Sequence, residues 1–258
     1  MSMRLLNTTT GKFETFEDPK AVRYAILSHV WTKNSGGRLE EQTYRNVCDI
    51  AAGLAAGSDI LINLSPKIQN ACKIARQHGF KYIWIDTCCI NHESSAELSR
   101  AINSMYEWYS CSNVCYAVLQ DVGSNDNPVS HTSDFRRSTW FKRGWTLQEL
   151  IAPKNVIFLC NSWGVIGTKH SLATVVHQVT GIDPRVLRHE LMPCEVSVAQ
   201  RVSWTYSRKT THLEDQAYCL IGIFGVNLTP IYGEGHDAFI RLQEAILKLD
   251  PDQSIFAW

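Results

Sequence analysis

The stretch SPKIQNACKIARQHGFKYIWID, Ser65 to Asp86, decides the fold class. Ser65-Pro66 supplies an N-cap and a first-turn proline, Ile68, Ala71, Cys72 and Ala75 fall on one apolar stripe, and Gly79 ends the helix. Tyr82 to Asp86 then reads as a short strand of apolar, aromatic and β-branched residues. A helix feeding straight into such a strand is half of a crossover unit, and its other half stands upstream as Tyr24 to Ser28 (YAILS).

Downstream, Val114 to Leu119 (VCYAVL) and Val156 to Leu159 (VIFL) repeat the strand signature. Ser95 caps a second crossover helix whose Leu98, Ile102, Met105, Tyr106 and Tyr109 share a face. Arg38 to Asn63 reads as an insertion with one short helix. Asp121 to Ser138, dense in Gly, Asn, Asp, Ser and Pro, reads as a mobile loop before a short helix, Trp140 to Ile151. After Gly164 the pattern is helical: Ser171 to Thr180, Pro184 to His189, Ser197 to Ser207, Leu213 to Phe224 and His236 to Leu249. The expectation is one domain over 1–258, an α/β core over 1–164 with a doubly wound, mostly parallel sheet, and a mainly helical part over 165–258.

Composition narrows the function. Lys+Arg and Asp+Glu number 25 each, so no global field draws nucleic acid or an anionic membrane surface. No apolar run approaches the roughly 18 residues that span a bilayer, and Met1 to Thr10 lacks the runs of a signal peptide, so a cytoplasmic protein is expected. Nine cysteines without a C-x-x-C pair read as reduced core thiols, and no metal site is expected. A P-loop is absent.

In a parallel sheet ligands gather beyond the carboxyl ends of the strands. Those ends carry Ser28-His29-Val30-Trp31, Asp86-Thr87-Cys88-Cys89-Ile90-Asn91 and Gln120-Asp121. Taken alone, Ser28 and His29 read most simply as a turn hydroxyl and a hydrogen-bonded histidine. Adjacent Cys88 and Cys89 would point opposite ways on a strand, so at least one belongs to the core. In Arg143-Gly-Trp-Thr-Leu-Gln-Glu-Leu150, helical spacing puts Leu147, Leu150 and Ile151 on the buried face and sets Glu149 one turn from Trp145 on another. A carboxylate beside an aromatic plane suits a heterocycle or a sugar, and a solvated glutamate is the plain alternative. Arg201, Arg208 and Lys209 read as a solvated basic patch, and Gly233-Glu234-Gly235 as a turn leading into a helix.

Four blocks in fixed order resemble the fungal heterokaryon-incompatibility (HET) domain: Tyr24-Ala-Ile-Leu-Ser-His-Val-Trp31, Trp84-Ile-Asp-Thr-Cys-Cys-Ile90, Asn103-Ser-Met-Tyr-Glu-Trp-Tyr109 and Arg143-Gly-Trp-Thr-Leu-Gln-Glu-Leu-Ile-Ala-Pro153. Arg208-Lys-Thr-Thr211, Glu214-Asp-Gln-Ala-Tyr218, Tyr232-Gly-Glu-Gly235 and Asp252-Gln-Ser-Ile-Phe-Ala-Trp258 resemble the tail that follows it. The HET family is remotely similar to TIR domains. Laid on that order, Trp145 to Leu150 falls on the segment that carries the catalytic glutamate of NAD-cleaving members.

The resemblance implies a TIR-like fold and a cell-death effector that hydrolyses NAD⁺ as substrate without a cofactor. Glu149 is then the catalytic group, and Ser28, His29, Trp31, Asp86, Asn91, Arg143 and Trp145 bind substrate. It also implies self-association into homo-oligomers, nucleotide-binding receptor regions in a longer parent protein, and no nucleic-acid or membrane partner. A non-catalytic module that recruits death machinery is the rival. Glu149 exposed in a cleft would favour chemistry, and Glu149 buried against an arginine would oppose it.

Overall fold

The computed structural model describes residues 2–32, 40–55, 58–249, 252 and 254. Residues 33–39 and 56–57, which take in parts of the expected insertion, and most of the 252–258 block lie outside them.

Among the described residues seven strands form one sheet: β1 (Met3–Asn7), β2 (Phe13–Phe16), β3 (Tyr24–His29), β4 (Tyr82–Trp84), β5 (Val114–Val118), β6 (Val156–Leu159) and β7 (Val165–Thr168). Their order is β2-β1-β4-β3-β5-β6-β7. The middle four are parallel, with Ala25 beside Ile83 on one flank and Ser28 beside Ala117 on the other. The flanking pairings are antiparallel. The expected mostly parallel sheet is thus a mixed one. The β1–β2 hairpin and β7 were missed because a five-residue strand, a four-residue strand rich in polar positions and a largely exposed strand show little periodicity.

The helices are α1 (Tyr44–Gly53), α2 (Pro66–Gln77), α3 (Asp86–Cys89), α4 (Ser95–Cys111), α5 (Asp134–Arg137), α6 (Thr146–Ile151), α7 (Ala173–Thr180), α8 (Pro184–Leu187), α9 (Val198–Ser203), α10 (Asp215–Tyr218), α11 (Ile221–Phe224) and α12 (Asp237–Leu249). Ser65 caps α2 through the Ile68 amide, and Gly79 leaves it at φ +78°, a conformation that favours glycine. Ser94, one residue before the expected cap, accepts from the Glu97 amide to start α4.

Every residue of β3 is buried, and Trp84 of β4 packs against Trp108 and Tyr109 of α4. The chain leaves β3 towards β4 on one side and returns past it to β5 on the other. The strand order therefore switches between β3 and β5, where their carboxyl ends part and ligands characteristically enter such sheets.

Three expectations are corrected. Asp86 does not end a strand but opens α3, so Cys88 and Cys89 lie on a helical turn and are both buried. The Asp121–Ser138 segment is tied down: Asp121 accepts from Ser138 Oγ (2.6 Å) and the Thr139 amide (2.7 Å), and Asp126 from the Asp134 and Phe135 amides. The expected helix Trp140–Ile151 is two pieces, a 3₁₀ turn over Thr139–Lys142 and α6. Among the described residues no helix is long and apolar enough to cross a membrane.

Candidate functional site

The site is built around α6, six residues whose side chains are all buried. So short a helix has no stability of its own and is held from outside. On its amino side, Thr146 Oγ meets the carbonyls of Trp140 (2.6 Å) and Arg143 (2.9 Å). The backbone of Lys142–Gly144 runs beside Lys209: the Lys209 amide donates to the Lys142 carbonyl (2.7 Å) and the Gly144 amide to the Lys209 carbonyl (2.9 Å). Glycine is needed at 144, because a Cβ there would stand 2.5 Å from Thr210 Cγ2. On its carboxyl side, Lys169, 1% exposed, donates to the Leu150 carbonyl (3.0 Å) and the Pro153 carbonyl, and its Nζ lies 3.0 Å from His189 Nε2, which itself donates to the Pro153 carbonyl (3.0 Å).

Glu149 projects from α6 to the end of β3. Its Oε2 accepts from Ser28 Oγ, and Ser28 Oγ in turn accepts from Trp140 Nε1 at 2.8 Å. The Tyr109 phenol also meets the carboxyl and donates to the Leu27 carbonyl at 3.0 Å, leaving its oxygen free to receive a carboxyl proton. Burial pushes Glu149 up to about 8, with the nearby Asp86 charge adding to the rise, while Ser28, Arg143 and Arg208 oppose it. At neutral pH the resting group is a carboxylic acid.

His29 follows Ser28 on the strand and therefore faces the other way. Its Nδ1 lies 3.7 Å from Asp86 Oδ1 and its Nε2 lies 3.8 Å from Glu41 Oε2, too far for hydrogen bonds. Among the described residues neither ring nitrogen, nor Asp86 Oδ1, has a hydrogen-bond partner. Burial first, then the charges of Lys67 and Arg143, holds His29 well below its ordinary range, so the ring is neutral and these contacts are not ion pairs. Asp86 Oδ2 accepts from Trp31 Nε1 at 2.6 Å, and burial raises this carboxyl too. Glu41 pairs with Lys67 and receives the Thr32 amide at 2.7 Å.

The structure thus joins Ser28 with Glu149 and Trp31 with Asp86, sets His29 beside Asp86 without a bond, and brings the two groups close enough for the carboxyls to feel one another. Three expected residues stand differently. Asn91 caps a local turn through the Glu93 amide. Trp145 turns its indole to Asp215 instead of walling Glu149. Arg143 is half-buried and reaches the site through its charge. The aromatics that serve the carboxyl are Tyr109, directly, and Trp140, through Ser28.

Exposure settles a further expectation. Glu149 is 6% exposed, not open in a cleft, and among the described residues no ion pair joins it to an arginine. Arg201 and Arg208 are buried, not a solvated patch, because backbone carbonyls and the Phe224 ring receive their guanidinium groups. Trp140, Tyr109 and Arg208 were not marked as site residues, since nothing local to them reports a partner 40 to 112 positions away. Two clefts, of about 520 Å³ beside α12 and about 360 Å³ beside His78 and Asn155, lie elsewhere.

Residues 24–133 match the family model described as Heterokaryon incompatibility protein (HET), and residues 237–258 match one described as a Domain of unknown function (DUF8212). The first span contains Ser28, His29, Trp31 and Asp86, and stops short of Glu149. Over 232 residues the chain is 42% identical to Vegetative incompatibility protein HET-E-1 of Podospora anserina. That match takes in 88% of this chain and 16% of the relative, so the chain spans under a fifth of the relative's length. No solved structure matches.

Proposed function

Because the chain carries a HET domain and so belongs to the heterokaryon-incompatibility family, we propose that it is a cytoplasmic death effector of fungal vegetative incompatibility that cleaves NAD⁺ between nicotinamide and ribose. The observation that carries the reading is the Glu149 carboxyl, oriented by Ser28 at the carboxyl end of the central strand, beside the point where the strand order switches.

Nicotinamide leaves as a neutral base from a cationic pyridinium, so no acid has to protonate it. A single carboxylate suffices to steady the oxocarbenium-like transition state or to attack the anomeric carbon. The resting acid is compatible with this, since a cationic ring arriving in a buried site favours the ionised carboxyl. Glu149 is 6% exposed, so substrate must displace what covers it, and self-association is the event we assign to that opening. Receptor regions of a longer parent protein would then control death by controlling assembly, and loss of NAD⁺ would kill the cell.

The same burial favours a second reading, in which Glu149 is a core acid and the domain recruits death machinery without chemistry. Nicotinamide release from NAD⁺, followed over a range of protein concentration for wild type and Glu149→Gln, separates the two. Release that rises faster than concentration and vanishes in the variant is expected. Equal release by both proteins removes Glu149 from the mechanism, and none at any concentration leaves the recruiting module.

A further inference from the structure

Arg208 is held on one side and unspent on the other. Its Nε donates to the Trp204 carbonyl (3.1 Å), and its Nη1 to the Arg143 carbonyl (2.8 Å) and Thr146 Oγ1 (2.9 Å). These contacts fix the guanidinium plane against the turn that begins α6, where the Lys209 backbone bridge also grips. Among the described residues Nη2 has no hydrogen-bond partner, although the residue is only 9% exposed. A buried guanidinium nitrogen left empty is costly and calls for an explanation.

The charge balance points to the missing partner. Among the described residues Arg208 forms no ion pair with a carboxylate. The acids nearest the site, Glu149 and Asp86, are both pushed towards their neutral forms, and Glu41 is matched by Lys67. Arg143 adds a second positive charge within reach of Glu149. Arg208 and Arg143 thus bring two positive charges to bear on Glu149, with one fixed fork donor unused, an arrangement that suits a phosphate.

We propose that Arg208 Nη2 receives the phosphate attached to the nicotinamide ribose, so that the site selects phosphorylated nicotinamide nucleosides. This rests on the reading of Glu149 as the NAD⁺-cleaving group and supplies the other end of the substrate's anchor.

The test uses the intact chain and three substrates that share the scissile bond: NAD⁺ and nicotinamide mononucleotide, which carry that phosphate, and nicotinamide riboside, which does not. Arg208→Gln should raise KM for the first two by about tenfold or more, the value of one charge-assisted hydrogen bond, and for the riboside by less than about twofold. Where circular dichroism shows that this variant does not fold, Arg208→Lys, which keeps the charge and loses the fork, is read by the same criterion. A penalty equal on all three substrates means that Arg208 only positions α6 and overturns the assignment while the NAD⁺ reading stands. No penalty on any overturns it too. Failure of the wild type to bind or cleave any of the three removes the reading and the assignment together.

Discussion

Ser28 and Glu149, 121 positions apart, form a single buried relay in which the Trp140 indole donates to the serine hydroxyl and the hydroxyl donates to the carboxyl. The relay connects the end of the central strand to a six-residue helix, and several measurable properties follow from it.

Glu149 should make the fold less stable as pH rises. Its folded value, about 8, lies above the ordinary 4.5, so the folded chain keeps this proton when the unfolded chain has lost it. The stabilisation is fully present below about 4.5 and is lost as pH climbs through about 8. Each unit is worth about 1.4 kcal/mol. Glu149→Gln keeps the shape without the proton, so a series of Tm values from pH 4.5 to 8 should be flatter for the variant, with the variant ahead at pH 8. Parallel curves would place the titration elsewhere.

Removing the hinge of the relay should cost more than one hydrogen bond. Ser28→Ala leaves the Trp140 Nε1 proton buried without an acceptor, a penalty of about 1–3 kcal/mol. It also withdraws the donor that favours ionised Glu149, so the carboxyl should titrate still higher. Urea unfolding and carboxyl ¹³C chemical shifts read the two effects separately. Trp140→Phe in the Ser28→Ala background should recover part of the loss, because donor and acceptor are then both gone.

Lys169 should behave in the opposite sense to Glu149. Burial lowers it from 10.5 to about 7, so between those values the unfolded chain binds the extra proton and stability gained through this group rises with pH. Wild type should therefore gain on Lys169→Met as pH moves from about 7 to about 10. Below pH 7 the Leu150 and Pro153 carbonyls receive the ammonium. The variant strands the Leu150 and Pro153 carbonyls, and amide exchange in α6 should quicken.

The grip of residues 208–210 on α6 can be probed without touching a charge. Gly144→Ala drives a Cβ to 2.5 Å from Thr210 Cγ2, an overlap expected to cost about 1–3 kcal/mol. Thr210→Ser removes that methyl and should restore most of the stability in the double variant. Additive losses in the thermal unfolding of the pair would show that the strain lies elsewhere.

What the sequence by itself determined is local and periodic. Ser65, Pro66 and Gly79 punctuate α2 because capping and left-handed backbone are decided within a few residues, and the four central strands are visible because apolar β-branched runs have few other uses. The ordered blocks from Tyr24 to Pro153 also sufficed to indicate the family. The β1–β2 hairpin was not visible because its strands are short and show little periodicity, and the break at Arg143 that divides the expected helix and the burial of Arg208 were not, since each depends on a distant backbone group supplying or refusing a hydrogen bond. The same holds for Glu149. Its place on a helix near the strand ends could be read from spacing, but whether it would be solvated, ion-paired or buried as an acid could not. Only the tertiary structure decided that, by closing Ser28, Tyr109 and Trp140 around it and burying its carboxyl.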